Sequence, residues 1–122
     1  MKQKIMVVED EECLFKLETI LLTSRGYQVC GMRNGREALE SIEKEMPDLV
    51  LLDVMLPGID GFEVCRQIKS NPLTSHILVI LLTAKRGQED MAKGEEVKAD
   101  CYITKPFRSA MVLETIQRFL DR

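Results

Sequence analysis

The chain has no apolar run long enough to cross a bilayer, so no helical membrane anchor is expected within its 122 residues. It has one histidine, His76, and its cysteines, Cys13, Cys30, Cys65 and Cys101, form no C-x-x-C pair. That spacing speaks against a zinc site. Each cysteine lies in an otherwise apolar stretch, which predicts buried free thiols, and His76 follows Pro72 and Ser75 in a polar stretch that predicts a solvent-facing loop. Positive charge is not in excess: 17 Lys and Arg against 20 Asp and Glu give a net charge of −3, which argues against a nucleic-acid-binding surface. Repeats, low-complexity tracts and linkers are absent. The segment Met1 to Val8 is short and charged, with no extended apolar region behind it. The expectation is a cytoplasmic chain without a signal peptide. What remains is an ordinary globular balance, 45% apolar and 30% charged, in a length that fits one domain, residues 1–122, able to bury a core.

Short apolar runs alternate with helical patterns. Lys4 to Val8 reads as a strand. Cys13, Leu14, Leu17, Ile20 and Leu21 recur at helical spacing, with Gly26 as the stop. Tyr27 to Cys30 is a second strand, and Ala38, Leu39, Ile42 and Met46 mark a helix ended by Pro47. Asp48 to Leu52 is a continuous apolar strand with Asp53 just past its end. Val64, Cys65 and Ile68 mark a third helix, stopped at Asn71-Pro72. Ile77 to Leu82 and Cys101 to Thr104 are further strands. Between them, residues 88–98 are helical in character but poor in apolar residues, and Val112, Leu113, Ile116, Phe119 and Leu120 form a closing amphipathic helix. Strand–helix alternation of this kind predicts an α/β domain with a parallel sheet covered by helices on both faces. Right-handed crossovers then bring the C-terminal ends of all strands to one edge, where ligands bind in this class.

The residues following the strands therefore matter most. Glu9-Asp10-Glu11-Glu12 follows the first strand, Asp53 the third, Thr83-Ala84-Lys85 the fourth and Lys105-Pro106 the fifth. A solvated helix N-terminus accounts for Glu11 and Glu12, because acids suit the helix dipole. It does not account for Asp53 at the end of a buried strand and close to Asp10. Two carboxylates about 5 Å apart repel by roughly 3 kcal/mol at an effective dielectric of about 20. A raised pKa, a cation or Lys105 must offset that. Hard oxygen ligands with few protein groups suit Mg²⁺, which keeps waters and takes phosphate oxygens. With a phosphoryl group added, Asp53 is a nucleophile forming an acyl phosphate. Asp10 and Asp53 are metal ligands, Lys105 is the counter-ion and Thr83 a hydrogen-bond donor to the attached group.

The segments Ile5-Met6-Val7-Val8-Glu9-Asp10-Glu11, Pro47 to Gly61, Leu82-Thr83-Ala84-Lys85 and Tyr102-Ile103-Thr104-Lys105-Pro106-Phe107 resemble the receiver domain of bacterial two-component response regulators, over nearly the whole chain. The resemblance implies a (βα)5 three-layer doubly wound sandwich whose five-stranded parallel sheet has the order 2-1-3-4-5. It implies that a histidine kinase or phosphotransfer protein donates the phosphoryl group to Asp53, that small phosphodonors such as acetyl phosphate can serve, and that a downstream effector domain or protein reads the result. Glu9 is expected to contact Mg²⁺ through water and the Met55 carbonyl to ligate it directly. Thr83 and Tyr102 are the expected conformational relay, Thr83 moving toward the phosphoryl group and Tyr102 turning inward; Lys105-Pro106 is expected to be cis. Met55 and Lys85 stand where the family tunes dephosphorylation. Neither can accept a proton from the attacking water, which predicts slow self-hydrolysis.

This sequence also departs from the family pattern. Lys98 replaces the usual glycine before Ala99-Asp100, which costs on the order of 1–2 kcal/mol if the backbone there is left-handed. Cys101 replaces the usual second acid. Met111 and Thr115 replace charges that pair receivers of the winged-helix subfamily, which predicts a monomer or weak dimer. Three other readings fit the residues less well. A haloacid-dehalogenase-type phosphatase needs an Asp two residues after the nucleophile, where Met55 stands. A flavodoxin-like carrier needs a Ser/Thr/Gly-rich loop after the first strand, where four acids stand. A receiver-like interaction module that is never phosphorylated has no need of Asp10, Asp53, Thr83 and Lys105 together.

Overall fold

The computed structural model describes residues 2–83, 92–93, 95–104 and 108–121. Its described elements run β1 (Lys4–Val8), α1 (Glu12–Ser24), β2 (Gln28–Met32), α2 (Gly35–Glu45), β3 (Leu49–Asp53), α3 (Gly61–Ser70), β4 (Leu78–Thr83), β5 (Cys101–Thr104) and α4 (Ser109–Leu120). The strands form one sheet in the order β2-β1-β3-β4-β5, and every neighbouring pair is parallel. β3 is buried at all of its positions, as a central strand with helices on both sides must be.

Alternate residues of the central strands feed two separate cores. Met6, Val8, Val50, Leu52, Val79 and Leu81 pack with Ala38 and Ile42 of α2 and Val64, Cys65 and Ile68 of α3. Ile5, Val7, Leu49, Leu51, Ile80 and Leu82 pack with Leu22 of α1 and Val112, Leu113 and Ile116 of α4. The three layers follow from this two-residue alternation.

Local signals set the helix ends. Asn34 caps α2 by accepting from the Glu37 N–H at 2.9 Å, while its side-chain amide donates to the Glu37 carboxylate at 3.1 Å. Asp60 caps α3 by accepting from the Glu63 N–H at 2.9 Å. Gly26, just past α1, has φ +91°, a turn that glycine adopts without steric cost. Val97 is buried, and its N–H donates to the Lys93 carbonyl at 3.0 Å, closing the described end of the 88–98 segment. Lys98, which follows, has φ 64°, so the left-handed position is held by a side-chain-bearing residue.

Two sequence expectations need correction. On α1, Leu17 is 47% and Ile20 66% exposed, while Glu18 and Leu22 are buried. Phe15, Glu18 and Leu22, spaced three and four apart, form the inward stripe; the apolar residues are spread around the helix and did not mark it. All four cysteines are free, as expected, but only Cys65 is buried; Cys30 and Cys101 are half-buried and Cys13 is exposed. His76 is exposed as expected.

Candidate functional site

The parallel register carries the strand ends to one edge. Val8 stands opposite Leu52, Asp53 opposite Leu82, and Thr83 opposite Thr104. Glu9 and Asp10 follow β1, Asp53 is the last residue of β3 and Thr83 the last of β4. Glu9, Asp10 and Asp53 each offer a carboxylate oxygen, and these oxygens all lie within 4.8 Å of one another. Glu9 is 2% and Asp53 3% exposed, whereas Asp10 is exposed. The cluster thus has a buried floor and one open side.

Backbone bonds fix this arrangement. The Glu9 N–H donates to the Met32 carbonyl at 3.1 Å, and the Val54 N–H donates to the Leu82 carbonyl at 2.8 Å. The Asp53 carboxylate accepts from the Met55 N–H at 2.9 Å, and the Glu9 carboxylate accepts from the Glu11 N–H at 3.2 Å. A carboxylate that accepts a backbone N–H is fixed in orientation by it. Met55 itself is 55% exposed.

Thr83 is fully buried at the end of β4, and Tyr102, half-buried on β5, packs against the core shared with α2 and α3. The expected relay residues therefore sit on adjacent strands, with Tyr102 opposite Leu81. Lys85, Lys105 and the Lys105-Pro106 bond lie outside the described residues.

Three all-oxygen donors around one open side form a hard ligand set, with room left for water and phosphate oxygens, which fits Mg²⁺. Sequence reasoning gave no role to two features here. Gly61 begins α3 directly beneath Asp53, its N–H donating to the Val54 carbonyl at 2.9 Å. A pocket of about 360 Å³ opens beside the carboxylates, lined in part by Asp10, Met55, Pro57, Phe62 and Lys93. The Gly61 contact is short-range across the β3–α3 loop, and the Pro57-to-Gly61 turn was its only sequence signal. Lys93 comes from a distant segment and had none.

A five-stranded parallel sheet in this order, with carboxylates gathered at its C-terminal edge, is the arrangement of two-component receivers. The family model for the response regulator receiver domain matches residues 5–117, and the chain belongs to that family. The alkaline phosphatase synthesis transcriptional regulatory protein PhoP of Bacillus subtilis is 44% identical over 122 residues, covering 100% of this chain and 50% of that protein. Response regulator PleD of Caulobacter vibrioides is 40% identical over 117 residues, covering 96% of this chain and 26% of that protein. The chain thus spans half the length, or less, of these relatives. Among solved structures, the BeF3-activated DrrB receiver domain superposes with a TM-score of 0.89 at 38% identity, covering 100% of both chains. A CheY-like receiver domain protein from Methanospirillum hungatei gives 0.93 at 28% identity, covering 99% of this chain and 95% of that one.

Proposed function

We propose that this chain is a single receiver domain, residues 1–122, that accepts a phosphoryl group on Asp53 from a histidine kinase or phosphotransfer protein and passes the signal to an effector domain or protein. The observation that carries the reading is the convergence of Glu9, Asp10 and Asp53, with oxygens within 4.8 Å, at the end of the central strand. Asp53 is the nucleophile, and its bond from the Met55 N–H holds one carboxylate oxygen in place. Asp10, Asp53 and the Met55 carbonyl would hold Mg²⁺, with Glu9 acting through water, and the ion would supply charge neutralisation for the transferring group. Lys105 is the second positive charge, and Thr83 donates to the phosphoryl oxygens. Movement of Thr83 then draws Tyr102 inward, changing the surface that the effector reads.

The only chemistry on this reading is the chain's own phosphorylation and dephosphorylation, the latter kept slow by Met55 and Lys85. The domain acts in the cytoplasm. It works as a monomer or weak dimer, since Met111 and Thr115 are uncharged and offer no ion pair between copies.

Intact mass after incubation with acetyl phosphate and Mg²⁺ tests the reading. Wild type gains one phosphoryl mass; Asp53→Asn and wild type with EDTA gain none. A wild-type chain that gains nothing is instead an interaction module with the same fold.

A further inference from the structure

The pocket beside the carboxylates shares Asp10 and Met55 with the phosphoryl-accepting site and extends past them to Pro57, Phe62 and Lys93. Its walls are largely apolar, from Val54, Leu56 and the 7%-exposed Phe62. Lys93 also lines it, its ammonium 5.6 Å from the centroid of the Phe62 ring. Lys93 is exposed, and that contact holds its charge over the pocket wall at the solvent boundary. Lys93 makes no ion pair among the described residues. The other charged groups of the pocket are Asp10, which belongs to the carboxylate cluster, and Asp60, which is engaged in capping α3.

The geometry points to Lys93 as a specificity-determining residue: the pocket receives the leaving group of a small phosphodonor, and the Lys93 ammonium favours acyl phosphates, whose leaving group is a carboxylate. This rests on the phosphorylation of Asp53. In the transfer, an Asp53 carboxylate oxygen forms a bond to phosphorus while the bond from phosphorus to the acyl oxygen breaks. The electron pair departs on that oxygen, so the leaving group gains negative charge and no proton need move. A nearby ammonium stabilises that developing charge. It offers nothing comparable to a donor that releases a neutral amine, such as phosphoramidate.

The test compares rates of Asp53 phosphorylation by acetyl phosphate and by phosphoramidate in the wild type, Lys93→Met and Lys93→Arg. The acetyl phosphate to phosphoramidate ratio is expected to fall about tenfold in Lys93→Met, as loss of one favourable charge contact implies, and to recover in Lys93→Arg. A ratio unchanged in Lys93→Met, or one that arginine fails to restore, overturns the assignment while leaving Asp53 as acceptor. A wild-type chain labelled by neither donor overturns both.

Discussion

Gly61 lies against the backbone of Asp53 with no room for a side chain: a Cβ built there would stand 2.6 Å from the Val54 Cα and closer still to the Asp53 carbonyl oxygen. The start of α3 is thereby pressed onto the end of β3, and backbone atoms cannot give way as a flexible side chain could. Gly61→Ala is expected to destabilise the fold by about 1–3 kcal/mol, the usual cost of forcing a methyl into a packed interior. It should also slow phosphoryl uptake at Asp53. Urea unfolding and the acetyl phosphate reaction measure both, and unaltered stability would show that the contact is more yielding than it looks.

Dephosphorylation is the second point of leverage. Met55 offers attacking water no acceptor, and Lys85 none for its proton. Met55→Asn combined with Lys85→Glu should speed loss of the phosphoryl group by about tenfold to a hundredfold. The decay of phosphoprotein after donor removal reads this directly; unchanged decay contradicts the assignment of slow hydrolysis to these two positions.

Lys98 occupies left-handed backbone at φ 64°. Relief of that strain, partly offset by glycine's greater freedom in the unfolded chain, should make Lys98→Gly more stable by up to ~1 kcal/mol. A thermal midpoint that falls would show that the lysine stem supplies packing that outweighs its strain.

The thiols should separate by reactivity. Burial pushes the Cys65 thiol up to about 12, and the same cause raises Cys30 and Cys101. Alkylation reports thiolate and access together. At neutral to mildly alkaline pH, Cys13, which is exposed, should react first and Cys65 only on unfolding. The folded value of Cys65 lies above the unfolded one, so its contribution to stability is complete below the unfolded thiol range and declines as pH rises toward 12. Peptide mapping of the alkylated chain decides the order, and early labelling of Cys65 would mean that α3 opens readily.

Strand positions were legible because central parallel strands must be apolar on both faces, and Leu49 to Leu52 and Leu78 to Leu82 advertise that directly. Asp53 stood out for the complementary reason: it is an acid where the apolar pattern stops. α1 was misread because Glu18 occupies the inward stripe while Leu17 and Ile20 face water, so hydrophobicity and burial part company on that helix. Contacts that depend on exact approach, such as Met55 N–H to Asp53 or Lys93 over Phe62, leave no periodic trace and emerge only in three dimensions.

The carboxylate that ends β3 belongs to a strand bonded on both sides, to β1 and to β4. Deleting one residue between Leu49 and Leu52 would reverse which layer each following side chain enters, or else tear two ladders at once. Tolerance to length change should therefore be sharply uneven around the molecule. An exposed turn tip such as Pro72–Leu73, between α3 and the buried Thr74, can absorb insertions that the β3 interior cannot.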